Sequence, residues 1–206
     1  MAGPHENLEH VEHAEHASHG GSKKIALLIS VLALFLAFSE TLGKSAQTKA
    51  ITDNVTANDT WSFFQAKTIR MALLTTAAEQ LQIQAEKATD ADTKGRLEKR
   101  VEEWKKTAAR YDDDPKSNEG RKQLTAKARA LEHSRELAMS RYHNYEFASA
   151  AFQIGIVLAS AEVITGMVAL AWLSGLCGVL GLAFTAVGLW APNVLDFLLH
   201  AGHAAH

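Results

Sequence analysis

A long apolar stretch, from Phe147 to Leu173, limits what this chain can fold into more than any other feature. About 20 apolar residues cross the hydrocarbon core of a bilayer as a helix, because each residue adds about 1.5 Å. The stretch holds one ionisable residue, Glu162. A carboxylate at that depth is unfavourable unless it is protonated, paired, or turned towards protein or water. We therefore predict a membrane-spanning helix and take Glu162 as the first candidate functional residue.

Two more apolar segments accompany this stretch. Ile25 to Leu42 follows two lysines, and Gly175 to Trp190 precedes a proline. A chain of 206 residues cannot cover three such segments inside a soluble domain, so we predict three spans. A secretory signal is the alternative for the first segment, but no convincing cleavage motif follows it. Only Ser174 and Gly175 separate the second and third segments, which predicts a tight turn there.

The predicted fold is all-α, with three transmembrane helices and a long, coiled-coil-like helical hairpin inserted between the first and the second. We predict a His- and Glu-rich tail over residues 1–22, transmembrane helices over 23–43, 147–173 and 175–191, an extramembrane stalk over 44–146, and a His-containing tail over 192–206. Cys177 is the one cysteine, so an internal disulfide is excluded and a role in helix packing is expected.

Residues 44–146 carry 19 Lys or Arg and 16 Asp or Glu, which places this insert outside the bilayer. Leu97, Val101 and Trp104 begin an apolar pattern that alternates four and three residues apart, as in a heptad seam. Arg135 occupies a seam position of the following helix. It either selects the register or partner, or packs its aliphatic stem along a three-helix bundle.

The insert is predicted to fold into three helices, separated by turns near Asp90–Gly95 and Asp112–Glu119. No helix breaker separates the outer two from the neighbouring apolar segments, so we expect each to continue into its segment as one helix. The middle helix is the shortest, and its faces cannot cover both long helices. We therefore expect a homo-oligomer, or a protein partner bound through the stalk.

A mixed strip follows the first helix of the insert. Trp61 and Phe64 have helical spacing, Gln65 shares the face of Trp61, and Lys67 and Arg70 share another face. An aromatic and amide surface beside a basic one suits a partner helix or anionic lipid headgroups. Packing within the protein is the alternative.

Histidines recur every third residue in both tails. They are His10, His13, His16 and His19 at the start, and His200, His203 and His206 at the end. Imidazoles three residues apart lie on neighbouring turns of a helix and can share a divalent transition metal ion. A solvated tail that binds nothing is the favoured interpretation, and weak metal binding or pH sensing is the alternative. No other cofactor is expected.

The residues also support a resemblance. The segment Glu9-His-Val-Glu-His-Ala-Glu-His16, the first apolar segment, and Asn58-Asp-Thr-Trp-Ser-Phe-Phe-Gln-Ala-Lys-Thr-Ile-Arg70 resemble the bacterial membrane-protein family of domain of unknown function 4337. The C-terminal apolar segments match as well. The resemblance implies a bacterial inner-membrane protein with a helical insert, and it implies no activity.

Patterns of catalysis and nucleic-acid binding are missing from the sequence. There is no nucleophile elbow, phosphate-binding glycine loop or His-Glu-x-x-His helix, so we do not expect an enzyme. Acidic residues are interspersed among the basic ones of the insert, which leaves no positive patch for nucleic acid.

Two hypotheses of function remain. The first is an oligomeric membrane scaffold that interacts through its stalk, in which Glu162 in its protonated form donates a hydrogen bond to Thr165, Ser160 or Thr185 of a neighbouring helix. The second is an ion or proton channel or transport component, in which Glu162, with Glu40 at the other end of a span, lines the path. Basic residues flanking the insert, including Lys44 and Arg141, favour a stalk on the cytoplasmic side.

Overall fold

The computed structural model describes the backbone of residues 4–194 and the side chains of residues 23–194. Over this range the chain forms four α-helices and no strand. They are α1 (Pro4–Lys87), α2 (Ala91–Asp112), α3 (Arg121–Thr165) and α4 (Val168–Trp190). The all-α prediction is confirmed. So is the expectation that the first and last helices of the insert continue into the neighbouring apolar segments, since α1 and α3 are unbroken there.

The chain divides into two compact units. The apolar unit contains the described residues up to Thr48 and from Leu137 onward, and the insert unit is Lys49–Glu136. The insert unit therefore lies within the predicted stalk, with its three helical segments in the predicted order.

Capping residues mark the turns of the insert unit. Asp90 is the N-cap of α2, where its carboxylate accepts a hydrogen bond from the Thr93 N–H at 2.9 Å. The second turn begins at Asp113, whose N–H donates to the Ala109 carbonyl and closes the helix. Both turns lie close to their predicted positions, although Gly95 belongs to α2 rather than to the turn.

The turn between the last two helices was predicted wrongly at Ser174 and Gly175. It lies at Gly166, whose φ of 70° ends α3 while its N–H donates to the Glu162 carbonyl at 2.7 Å. Glycine adopts this left-handed conformation without the steric penalty of a Cβ atom. Ser174 instead lies inside α4, buried, because its hydroxyl donates to the Gly155 carbonyl of α3 at 2.7 Å.

Small residues dominate the interior of the apolar unit. Leu32 and Phe152 form its core with Ala148, and the glycines of α4 let neighbouring side chains approach the helix backbone. A Cβ atom at Gly178 would lie 2.8 Å from Leu32, and one at Gly181 would lie 2.6 Å from Phe152. Interfaces between membrane helices commonly use small residues for such close approach.

The outer surface of the apolar unit carries large apolar side chains. Leu34, Ile154 and Trp172 are each more than half exposed, as are many of their neighbours on the three helices. Apolar windows in α1, α3 and α4 have mean hydropathies of 2.3, 1.7 and 1.9. Three helices are therefore long and apolar enough to cross a membrane.

Candidate functional site

A polar groove lies between α1 and α3 at the end of the apolar unit where the chain leaves at Thr48 and returns at Leu137. It has a volume of about 260 Å³. Its lining residues are Ser39, Glu40, Gly43, Lys44, Gln47, Tyr142, Tyr145, Glu146 and Ser149. Carboxylates, a lysine and hydroxyl groups thus meet beside helices that are otherwise apolar.

Ser39 fixes the two walls of this groove. Its hydroxyl is fully buried and donates to the Tyr145 carbonyl at 3.0 Å. Gly43, one turn later, is also buried and lies next to the Tyr145 side chain. A hydroxyl and a glycine at neighbouring turns allow the two helices to approach closely while the polar group stays paired.

Two carboxylates of the groove have partners in the apolar unit. Glu40 accepts a hydrogen bond from the Gln153 amide at 3.4 Å, although both side chains are exposed. Glu146 accepts from the Tyr142 hydroxyl at 3.5 Å and lies 3.7 Å from His143 Nδ1. Glu40 lies within the first predicted span, so this amide and carboxylate pair is a polar feature on an apolar outer surface.

Glu162 lies in the last turn of α3, not in the middle of a helix. The Gly166 turn follows four residues later, and the side chain is half-buried. Thr165, a proposed partner of Glu162, donates instead to the Ala161 carbonyl of α3 at 2.8 Å, and the nearby Ser160 donates to the Ile156 carbonyl of the same helix at 2.8 Å. The structure therefore brings together Glu40 and Gln153, and it does not join Glu162 to either Glu40 or Thr165.

The predicted strip on α1 forms an aromatic and cationic cluster inside the insert unit. The cluster comprises Trp61, Phe63, Phe64, Lys67, Tyr111 and Arg121. Lys67 is 7% exposed, with its ammonium group 5.1 Å from the Phe63 ring centre, 5.2 Å from that of Tyr111 and 3.5 Å from the Glu119 carboxylate. A buried ammonium group needs such partners, because desolvation disfavours an isolated charge.

Other members of the cluster tie α1 to α3. The Trp61 indole N–H donates to the Glu132 carboxylate at 2.8 Å, and the Arg121 guanidinium lies 5.0 Å from the centre of the Phe64 ring. Gln65 and Arg70 are exposed. Packing within the chain thus accounts for the aromatic residues and Lys67, whereas Gln65 and Arg70 stay available to a partner.

The apolar pattern of α2 faces the interior of the insert unit. Val101 is buried, and Leu97 and Trp104 are half-buried. Arg135 donates to the Asn54 side chain at 3.3 Å and lies 3.6 Å from Glu136. These contacts favour the bundle-packing interpretation of Arg135 over a role in partner choice.

A carboxylate of α1 is held ionised in the same unit. Hydrogen bonds from Lys49, 2.8 Å away, and from Ser134 keep the pKa of Asp53 below its ordinary value. Asp53 is buried, so these two donors compensate for the loss of water around its carboxylate.

The side chains of the tail histidines lie outside the described residues, and so does the predicted metal site. They are His10, His13, His16, His19, His200, His203 and His206. Among the side chains that the structure describes, no group of three or more His, Cys, Asp or Glu is arranged to hold a metal ion.

The sequence profile of one family, Domain of unknown function (DUF4337), matches residues 21–191. The chain belongs to the DUF4337 family. No curated protein and no solved structure matches it significantly. The matched range of this DUF4337 protein holds the three apolar segments and the whole insert unit, and it leaves out the tail histidines.

One surface of the DUF4337 protein escaped the sequence analysis. Five large aliphatic residues of α1 in the insert unit are each more than half exposed: Ile51, Val55, Ile69, Leu73 and Ile83. They fall within an arc of about 80° on an ideal helix, opposite the buried Ala78 and Ala85. We call this surface the aliphatic face. Polar residues at the intervening positions, such as Ser62, hid its heptad spacing in the sequence.

Proposed function

We propose that the chain is an oligomeric integral membrane protein that acts as a structural scaffold, without catalytic activity, and that its copies join through the aliphatic face. The observation that carries the proposal is this face itself. It is a second apolar surface on a helix whose opposite side is already covered inside the insert unit.

Membrane integration is supported by how the apolar unit distributes its residues. A soluble bundle buries its large apolar side chains and exposes polar ones. Here the interior is rich in Gly, Ala and Ser, while Leu, Ile and Trp side chains lie outside. Lipid is the solvent that suits such a surface. We further propose that this membrane is a bacterial inner membrane and that the insert unit lies on its cytoplasmic side.

The aliphatic face lies in a region of high charge density, where water is the expected solvent. Exposed aliphatic side chains are unfavourable in water when they are contiguous, and such patches commonly mark interfaces. The face runs from Ile51 to Ile83, about 48 Å along the helix axis. A partner must therefore offer an apolar surface of similar length.

A second copy of the chain meets this requirement. Copies inserted in one membrane with the same orientation present α1 in the same direction, so identical faces can pair in register. Val55, Ile69 and Ile83 are β-branched and separated by multiples of seven residues. β-Branched residues at one core position of a heptad favour parallel two-stranded pairing.

Cysteine cross-linking tests the proposal. Ile69→Cys, in a Cys177→Ser background and in native membranes, should form a disulfide-linked dimer on mild oxidation. Glu103→Cys, on the exposed side of α2, is the control and should remain monomeric. Cross-linking of neither variant, together with a monomeric mass of the wild-type chain in detergent, would contradict the proposal. Alkaline carbonate extraction tests membrane integration separately, since an integral protein stays in the pellet.

An ion or proton path is the second candidate function, and Glu40 and Gln153 are the observation that favours it. An exposed carboxylate and amide within apolar helices are unfavourable against lipid. They would be favourable on a hydrated surface between copies. Proton flux into proteoliposomes that Glu40→Gln abolishes and Glu162→Gln leaves intact would favour this path, whereas a scaffold shows no flux in any of these proteins.

A further inference from the structure

A cavity of about 570 Å³, wide open at the protein surface, lies where α4 ends beside α3 in the apolar unit. Its lining residues are Leu137, Arg141, Trp190, Ala191, Pro192, Asn193 and Val194.

A buried asparagine holds the two walls of this cavity together. Asn144 is fully buried, and its amide donates to the Ser140 carbonyl at 2.8 Å and to the Pro192 carbonyl at 3.1 Å. Gly188 lets α4 approach, since a Cβ atom there would lie 2.8 Å from the Tyr145 ring. The last turn of α4 and the residues after it are thereby fixed against α3.

The polar groups of the cavity suit an anion. Arg141 is exposed and has no ion pair among the described residues. Trp190 carries an indole N–H and Asn193 an amide, and no carboxylate is among the lining residues within the part of the chain that the structure describes. A guanidinium group binds phosphate oxygens with up to two parallel hydrogen bonds. The remaining walls are aliphatic, so the bound molecule should carry an apolar part beside its anionic group.

The cavity lies at the level expected for lipid headgroups. Trp190 is 83% exposed at the last residue of α4, and Arg141 precedes the second apolar stretch by six residues, about 9 Å on a helix. Trp172, also exposed, lies 18 residues before Trp190, so the two indoles share one helix face about 27 Å apart. That separation is close to the thickness of the hydrocarbon core, at whose two boundaries tryptophan is enriched.

We propose that this cavity binds the phosphate group of an anionic phospholipid, with Arg141 as its principal ligand and the acyl chains against Trp190. The inference rests on the membrane integration proposed above. It does not depend on oligomerisation or on an ion path. Since a free phosphate ion shares the chemistry of the headgroup, the test must separate these two sources.

Native mass spectrometry of the full chain in detergent supplies the test, with phosphatidylglycerol, phosphatidylcholine and inorganic phosphate as added probes. Phosphatidylglycerol should bind the wild-type chain more tightly than phosphatidylcholine does. Arg141→Gln should weaken phosphatidylglycerol binding roughly tenfold, the size expected for one charged hydrogen-bonding group. Arg129→Gln removes the same charge from an exposed position of α3 and should leave binding unchanged.

Three outcomes would overturn the proposal. If Arg141→Gln and Arg129→Gln weaken phosphatidylglycerol binding equally, the lipid is attracted by the net charge of the protein and not by a specific site. Equal retention of the two lipids by the wild-type chain would show that the headgroup is not recognised. Displacement of phosphatidylglycerol by millimolar inorganic phosphate would assign the cavity to a free anion. Loss of the wild-type chain from carbonate-washed membranes would refute membrane integration instead, so the two failures are distinguishable.

Discussion

Gly181→Ala should destabilise the apolar unit, because the added methyl group has no room. A Cβ atom at this position would lie 2.6 to 2.8 Å from three atoms of the Phe152 ring. The ring cannot easily move aside, since Phe152 is 1% exposed and stacks on Phe35 with 6.0 Å between the ring centres. The substitution therefore forces either a ring rotation or a separation of α3 from α4.

Two opposing effects set the size of the change. Overpacking a close-packed core lowers the free energy of unfolding by about 1–3 kcal/mol. Replacing glycine by alanine within a helix raises it by about 0.5–1 kcal/mol. We expect a net loss of roughly 0–2.5 kcal/mol, and a loss of about 1–3 kcal/mol relative to a glycine-to-alanine change that meets no neighbour.

Gly175→Ala is the matched control. It lies in the same helix, and apart from its chain neighbours and its own helix backbone no atom lies within 4 Å of its added Cβ, so only the gain in helix propensity should remain. The measurement is the free energy of unfolding of each full-length variant in mixed micelles, obtained by titration with SDS and followed by circular dichroism.

Equal stabilities of the Gly181→Ala and Gly175→Ala proteins would refute the reasoning, because they would show that Phe152 does not limit the space at Gly181. A double variant adds a second check. Phe152→Leu removes the ring, so it should lower the free energy of unfolding less in the Gly181→Ala protein than in the wild type. A double-mutant cycle measures this difference directly.

Three further changes test other contacts. Trp61→Phe removes the hydrogen bond to Glu132 and should lower the stability of the insert unit by about 1–3 kcal/mol in thermal unfolding. Ser39→Ala removes the buried hydrogen bond to Tyr145 and should lower stability in the SDS titration by about 0.6 kcal/mol, the mean for membrane helices. The lowered pKa of Asp53 stabilises the folded chain above the ordinary carboxyl pKa, and this contribution is lost as the pH falls through the folded-state value. Asp53→Asn should therefore reduce the decline in unfolding temperature of the wild type between about pH 5 and 3.

Each of these changes has an internal control. Trp104→Phe alters a half-buried indole for which the structure gives no hydrogen bond, so it should be milder than Trp61→Phe. Ser30→Ala removes a hydroxyl that bonds only within its own helix, to the Ala26 carbonyl, and should change stability less than Ser39→Ala. A pH profile of the Asp53→Asn protein that matches the wild type would exclude Asp53 as a source of the acid dependence.

Features that depend on local sequence were predictable. The three apolar segments, the charged insert and the unbroken helices across their boundaries follow from hydropathy, charge and the lack of helix breakers. Asp90 lies at a helix end because its side chain caps the helix backbone, which is a property of the residue type.

Features that depend on residues far apart along the chain could not be predicted from the sequence. Ser174 and Gly175 have the composition of a turn, yet α4 continues through them because the Gly155 carbonyl on another helix accepts the serine hydroxyl. Lys67 is a second example. Nothing in the local sequence predicts that its ammonium group contacts two aromatic rings and the Glu119 carboxylate.

The sequence by itself determined that this protein is helical, that three of its helices are apolar enough to cross a membrane, and that a charged insert lies between the first two apolar segments. These properties are set by the solvent preference and backbone propensity of successive residues. Only the tertiary structure decided that Glu40 meets Gln153, that Glu162 lies beside a turn, and that Arg141 faces a cavity with Trp190. Contacts of that kind depend on the packing of helices that are far apart along the chain, which no local pattern encodes.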